Sequence, residues 1–129
     1  MNEEARLHLQ RAHKFLAVVT GRAEVEIPEV VAHAAYYSMH HAAVAVLTAH
    51  DVGIPKTHSG LIARLGQLDR ERSWQAKGDV ALLSRALDRR LIADYQAVES
   101  LTIEHARSAR DDAVAFVAFC ERMLRAQGV

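Results

Sequence analysis

The run from His33 to Leu47 reads His-Ala-Ala-Tyr-Tyr-Ser-Met-His-His-Ala-Ala-Val-Ala-Val-Leu, with neither glycine nor proline. At about 100° per residue, His33, Tyr37, His40 and Val44 fall on one helical stripe, with Ala34 and His41 beside it. Ala35, Met39, Ala42, Ala43 and Val46 take the opposite side. A helix apolar over nearly its full circumference belongs at the centre of a fold. Its tyrosines and histidines must then find partners as they are buried. The remaining chain is therefore expected to wrap this helix.

The flanking segments have narrower apolar stripes at helical spacing. Ala5, Leu9, Ala12, Leu16 and Val19 define a first helix from Glu3 to Thr20, with Glu3 and Glu4 at its positive end and Gly21 as its stop. Pro28 suits the first turn of the central helix, which reaches His50 or Asp51 before Gly53-Ile54-Pro55. Leu61, Ile62, Leu65 and Leu68 mark a short third helix capped by Thr57 or Ser59. Arg70 to Trp74 reads as a polar connection, with Trp74 closing one end of the core. A fourth helix follows Gly78 with the stripe Val80, Leu83, Leu87 and Leu91. The last runs from about Leu101 to Arg125. Its inner face is Ala106, Ala109, Ala113, Phe116, Val117, Cys120, Met123 and Leu124, and Gly128 follows it. No segment reads as a strand, and there is no repeat, linker or low-complexity stretch. The expected fold is an all-α antiparallel bundle of four or five helices, one domain over residues 1–129.

Composition narrows the function classes. Sixteen basic residues balance sixteen acidic ones, which argues against indiscriminate nucleic-acid binding but leaves room for a local basic patch. Only 5% of residues are aromatic, so the core relies on close packing of Ala, Val and Leu. The lone Cys120 can form no internal disulfide, and no basic leader precedes Asn2-Glu3-Glu4. A cytoplasmic location is expected. The stretch from Val30 to Ala49 is long enough to span a bilayer, but its histidines and tyrosines assign it to a protein core, so no membrane partner is expected.

Two polar clusters could carry chemistry. Arg90 and Asp94 continue the apolar line of Leu83 and Leu87, and such a pair on an inward stripe needs partners. The tyrosines and histidines of the central helix are the candidates, with Tyr37 or His41 expected first. The pair reads either as an ionic lock between helices or as the lining of a ligand site. Lys56-Thr57-His58 stands at a loop-to-helix junction, where backbone N–H groups can hold phosphate. No metal is expected: His33 and His40 are two turns apart, about 10 Å, too far for one ion to bridge. Cys120, among apolar neighbours, is expected to be inert. There is no glycine-rich phosphate loop, and no cofactor is expected.

Three motifs in order resemble the HEPN domain family. Ala35-Tyr36-Tyr37-Ser38-Met39-His40-His41-Ala42-Ala43 is similar to its signature helix, commonly Ser-Arg-Ala-Tyr-Tyr-Ala-Met-Phe-His-Ala-Ala. Lys56-Thr57-His58-Ser59-Gly60-Leu61 looks like its Lys-Thr-His-Ser-Gly loop, and Arg90-Leu91-Ile92-Ala93-Asp94-Tyr95 like its Arg-x-x-Ala-Asp-Tyr element. The resemblance covers nearly the whole chain. It implies a helical bundle, usually a homodimer. Many members are metal-independent RNase toxins, often encoded beside a minimal nucleotidyltransferase that serves as antitoxin. Their catalytic pattern is an arginine followed on the same helix by a histidine. Carried over, the histidine is His41, whereas the arginine falls on Ala34. His33, one position earlier, cannot supply a guanidinium's fixed bidentate charge.

Two functions follow from the resemblance. The first is a non-catalytic nucleotide-, RNA- or partner-binding module of a toxin–antitoxin type system, with Lys56, Thr57, His58 and Arg90 on phosphate and His33, Tyr37, Asp94 and Tyr95 in support. The second is a metal-independent endoribonuclease with His41 as acid or base and His33 or Arg90 supplying the charge.

Overall fold

The computed structural model describes residues 2–21, 27–95 and 101–127; the side chain of Tyr95 and the segment containing Gly128 lie outside the described residues. Five α-helices and no strand occur among them: α1 (Glu3–Val19), α2 (Pro28–Ala49), α3 (His58–Arg72), α4 (Lys77–Tyr95) and α5 (Ile103–Ala126). The all-helical expectation therefore holds.

Helix α2 packs against each of the other four, as its apolar circumference requires. Val31, Ala35, Tyr36, Met39, Ala42, Ala43 and the run Ala45 to Leu47 are essentially inaccessible to solvent. The small side chains let neighbouring helices approach closely, and the larger Phe116, Leu61, Leu65, Leu83 and Leu124 fill the space between them. Asn2 links α1 to the far end of α2. Its Oδ1 caps α1 by accepting from the Ala5 N–H at 2.8 Å, and its Nδ2 donates to the Thr48 carbonyl at 3.1 Å. The start of α1 thus meets the end of α2, so the two run antiparallel.

Besides the start of α4, which takes in Gly78 where the helix was expected to follow it, two features differ from the sequence expectation. Helix α3 continues to Arg72, through part of the segment expected to be a connection, and only residues 73–76 join it to α4. The reason is local. Arg70 and Arg72 suit the negative end of the helix, and the buried Asp69 carboxylate accepts from the Ala76 N–H at 3.0 Å, which folds the chain back at once. Ser73 takes a left-handed conformation (φ 55°) to make the turn. Trp74 packs edge-on against His50 and Phe119, closing that end of the core.

The second difference is in α4. Leu83 and Ala86 are buried, but Leu91 is 41% exposed. A regular helix carries the Leu83–Leu87 line through positions 90 and 94, and Leu91 lies roughly 80° away from it. The inward places are therefore taken by Arg90 and Asp94. Helix α5 begins at a reciprocal cap: Thr102 Oγ1 accepts from the His105 N–H at 3.2 Å, and His105 Nδ1 accepts from the Thr102 N–H at 3.1 Å.

Candidate functional site

The polar groups of α2 form one continuous aromatic seam with α1, α3 and α4. Positions 33, 36, 37, 40 and 41 recur at helical spacing and stack down one side of α2. Successive ring centroids are 4.9 Å apart for His33–Tyr37, 5.3 Å for Tyr36–Tyr37, 6.0 Å for Tyr36–His40 and 5.2 Å for His40–His41. Seam residues on either side of this line meet different helices.

On the α4 side the centre is Arg90. Its guanidinium carbon lies 5.5 Å from the Tyr36 ring centroid and 5.3 Å from that of Tyr37, a cation–π arrangement with both. Its Nε stands 3.3 Å from Asp94 Oδ2 as an ion pair whose alignment falls short of a hydrogen bond. Asp94 Oδ1 in turn lies 3.4 Å from His33 Nδ1. The side chains of Arg90 and Asp94 are 15% and 27% exposed, so the pair is partly buried. Tyr37 is thus a partner of Arg90 as expected. His41 is not among its contacts; the second ring is Tyr36.

Helix α3 enters the seam through His58. Its Nδ1 bonds the Tyr36 hydroxyl, and its Nε2 lies 3.5 Å from Arg90 Nη1. Thr57 Oγ1 accepts from the Gly60 N–H at 2.9 Å as the cap of α3. Both ring nitrogens of His58 and the Thr57 oxygen are therefore engaged within the protein, while Lys56 is exposed. Tyr95 ends α4, and its side chain lies outside the described residues.

His41 faces α1. Its ring stacks on His8 (5.3 Å between centroids) and on Phe15 (5.8 Å, nearly parallel). Its Nδ1 is 3.1 Å from His8 Nδ1. Neither nitrogen can be a donor to the other unless the other is unprotonated, so at least one ring is neutral at that atom. Burial is the main cause lowering the pKa of His41 to about 4, with His8 and Arg11 adding repulsion. Burial also dominates for His40, likewise lowered to about 4, with His41, His58, His8 and Arg90 contributing. His40 Nδ1 is buried without a hydrogen-bond partner among the described residues. Burial pushes the Tyr36 hydroxyl up to about 12, so it stays neutral.

Three adjoining depressions follow α1. One of about 290 Å³ is lined by Glu4, Leu7, His8, Gln10, Arg11 and Lys14. The next, about 400 Å³, is lined by Arg11, Lys14, Phe15, Val18 and His41. The third, about 340 Å³, is lined chiefly by apolar groups, with Phe15, Val18, Val30, His33, Ala34 and Asp94 among them. Ala34, where the signature arginine would stand, is 6% exposed and borders this last groove.

The structure therefore divides the expected site. His33, Tyr37, Arg90, Asp94 and His58 come together; His41 turns the other way. Sequence reasoning placed His40 on the stripe of His33 and Tyr37 and counted the tyrosines of α2 among the partners of Arg90, but it missed His8, Arg11, Lys14 and Phe15 of α1. The available signal was the i, i+3, i+7 spacing of 8, 11 and 15 beside the apolar stripe. Among the described residues no group of three His, Cys, Asp or Glu could hold a metal ion, and no helix is long and apolar enough to cross a membrane.

Comparison with known proteins adds two findings. The HEPN domain family matches residues 5–123. A protein described as "UPF0332 protein" from Archaeoglobus fulgidus is 31% identical over 115 residues, covering 89% of this chain and 90% of the relative.

Proposed function

The chain belongs to the HEPN domain family, and from that premise we propose that it is a nucleotide- or RNA-binding module of a toxin–antitoxin type system that does not cleave RNA. The observation that carries this reading is the environment of His41. The helix offers Ala34 where the family's arginine stands, and Arg90 is held between two tyrosines, His58 and Asp94. His33 faces Asp94. Neither of the two expected surrogate charges is directed at His41, and the arginine that shares its groove, Arg11, is an exposed side chain of α1 with no ion pair or hydrogen bond among the described residues to fix it. Metal-free cleavage would need a fixed cation against the charge that develops on phosphorus. Binding needs only cations within reach of phosphate. The reading requires no cofactor.

In this reading Lys56, with the N–H groups at the start of α3, remains a phosphate contact; Thr57 fixes that helix start through its cap on Gly60, and His58 and Arg90 stay within the seam. Exposed Val18 and Val30 line the apolar groove beside Ala34, and α4 adds exposed Leu91 and Ile92 to the apolar surface. Such a surface supports a homodimer. The family resemblance supports a minimal nucleotidyltransferase as second partner.

A second reading, an endoribonuclease using His41, is favoured by one observation. The ring is held neutral at pH 7, as a general base must be. The two readings separate in a titration of the protein into a labelled single-stranded RNA in chelator. The binding reading expects a saturable complex from which intact RNA is recovered; no complex, or a complex yielding fragments, would overturn it.

A further inference from the structure

We propose that the middle depression along α1 is a binding cleft for the phosphodiester backbone of single-stranded RNA, with Arg11 and Lys14 as the phosphate contacts and Phe15, backed by His41, as the surface for a base. The inference rests on the RNA-binding reading above and adds, beside the signature His41, three residues of α1 that the signature motifs do not include: Arg11, Lys14 and Phe15.

Four observations support it. Arg11 and Lys14 are exposed, line the same groove of about 400 Å³ and have no ion-pair partner among the described residues. By contrast, Arg6, Arg85, Arg89 and Arg90 are all paired with carboxylates. Next, α1 carries no Asp or Glu from Ala5 to Val19, so the local field is positive although the whole chain is neutral. Third, the groove's floor is aromatic. Phe15 and His41 lie parallel, interplanar angle 5°, and both are only half-buried. Cations beside a stacking surface are the two components that sequence-tolerant single-strand recognition uses. Last, the groove is continuous. It shares Arg11 and Lys14 with the depression toward the start of α1, while Phe15 and Val18 mark its border with the apolar groove assigned to the homodimer. A strand can run along such a furrow, whereas a lone anion would need only one part of it. Glu4 at one end and Glu29 with Asp94 at the other bound the positive stretch.

The test is fluorescence anisotropy of a labelled oligouridylate at several salt concentrations. The proteins are wild type, Arg11→Ala/Lys14→Ala, Lys56→Ala, and Lys77→Ala/Arg107→Ala as a control of equal charge loss elsewhere. All changed side chains are exposed, and circular dichroism checks each fold. The double variant in α1 is expected to bind at least about tenfold more weakly and to lower the slope of log affinity against log salt by about 1.4, at roughly 0.7 per lost single-strand contact. The control should bind within about twofold of wild type, the change expected when no phosphate contact is lost. If wild type binds and the α1 variant matches it, with any loss confined to Lys56→Ala, the cleft is wrong and the RNA-binding reading stands. If wild type binds no oligouridylate, that reading falls and the cleft with it. Uridine monophosphate binding as tightly as the oligomer would overturn the assignment of a strand.

Discussion

Nδ1 of His8 lies 3.1 Å from Nδ1 of His41, with the two rings stacked. The contact joins α1 to α2 and holds only while at least one imidazole is neutral. It is one part of a larger group: burial, first of all, lowers the pKa of His8, His40, His41 and His58 alike. In the unfolded chain these rings take up protons near pH 6.5. In the fold, His40 and His41 resist until about pH 4. Between those values the unfolded state binds more protons, so stability is complete above about pH 6.5 and falls as pH drops through the folded values. The melting temperature is expected to fall by an amount on the order of 5 °C from pH 7 to pH 5. His8→Gln/His41→Gln should flatten that dependence. Equal melting temperatures at both pH values for wild type would contradict it.

Arg90 gives a prediction about stability. Its guanidinium covers Tyr36 and Tyr37, and Arg90→Ala is expected to cost about 2 kcal/mol in urea denaturation, from cation–π attraction and lost packing. Arg90→Lys should recover less than half, since an ammonium cannot lie flat over two rings. Asp94 is a weaker contributor. Both side chains are partly in water, so Asp94→Ala should cost only about 0.5–1 kcal/mol. A loss of several kcal/mol would mean a fully buried pair.

Gly60→Ala tests the α3 cap. A Cβ at position 60 would stand 2.7 Å from Thr57 Oγ1 and 3.0 Å from Pro55 Cβ. Alanine favours a helix over glycine by about 1 kcal/mol. The Thr57 side chain can escape only by rotating away from the Gly60 N–H that it caps, which costs about 1 kcal/mol, and contact with Pro55 remains. A net loss of about 1 kcal/mol is expected, and a gain would show that the loop yields freely.

Cys120 is wholly buried, and burial raises its thiol pKa well above the usual range. It should resist an aromatic disulfide reagent in the native protein and react stoichiometrically in denaturant. Rapid native labelling would place it at the surface.

Much of the fold was legible because α2 differs in kind from its neighbours: a full apolar circumference against single stripes. The Arg90–Asp94 pair was also legible, since two charges continuing the line of Leu83 and Leu87 must be held by something. Its partners were legible only in part: Tyr37 was expected, whereas His58 was not. Tyr36 and Tyr37 are adjacent in sequence, and which ring meets α3 depends on how the helices pack. The same limit applied to His41. Helical spacing put it beside His33 and Tyr37, but only the docking of α1 decides that it meets His8, Arg11 and Phe15 instead of Arg90. The reach of Leu91 failed for a simpler reason: a spacing of eight from Leu83 drifts off a face that a spacing of seven keeps.

In the function proposed above, this HEPN chain binds RNA without cleaving it because position 34 is an alanine. The most direct measurement is metal-free cleavage of a mixed RNA pool, in chelator and with protein in excess, by wild type, Ala34→Arg and Ala34→Arg/His41→Ala. Positions 34 and 41 are seven apart, close to two turns of helix, and Ala34 borders a groove with room for a longer side chain. The account predicts no cleavage by wild type, detectable cleavage by Ala34→Arg, and its loss when His41 is also replaced. Robust wild-type cleavage that His41→Ala abolishes would contradict it.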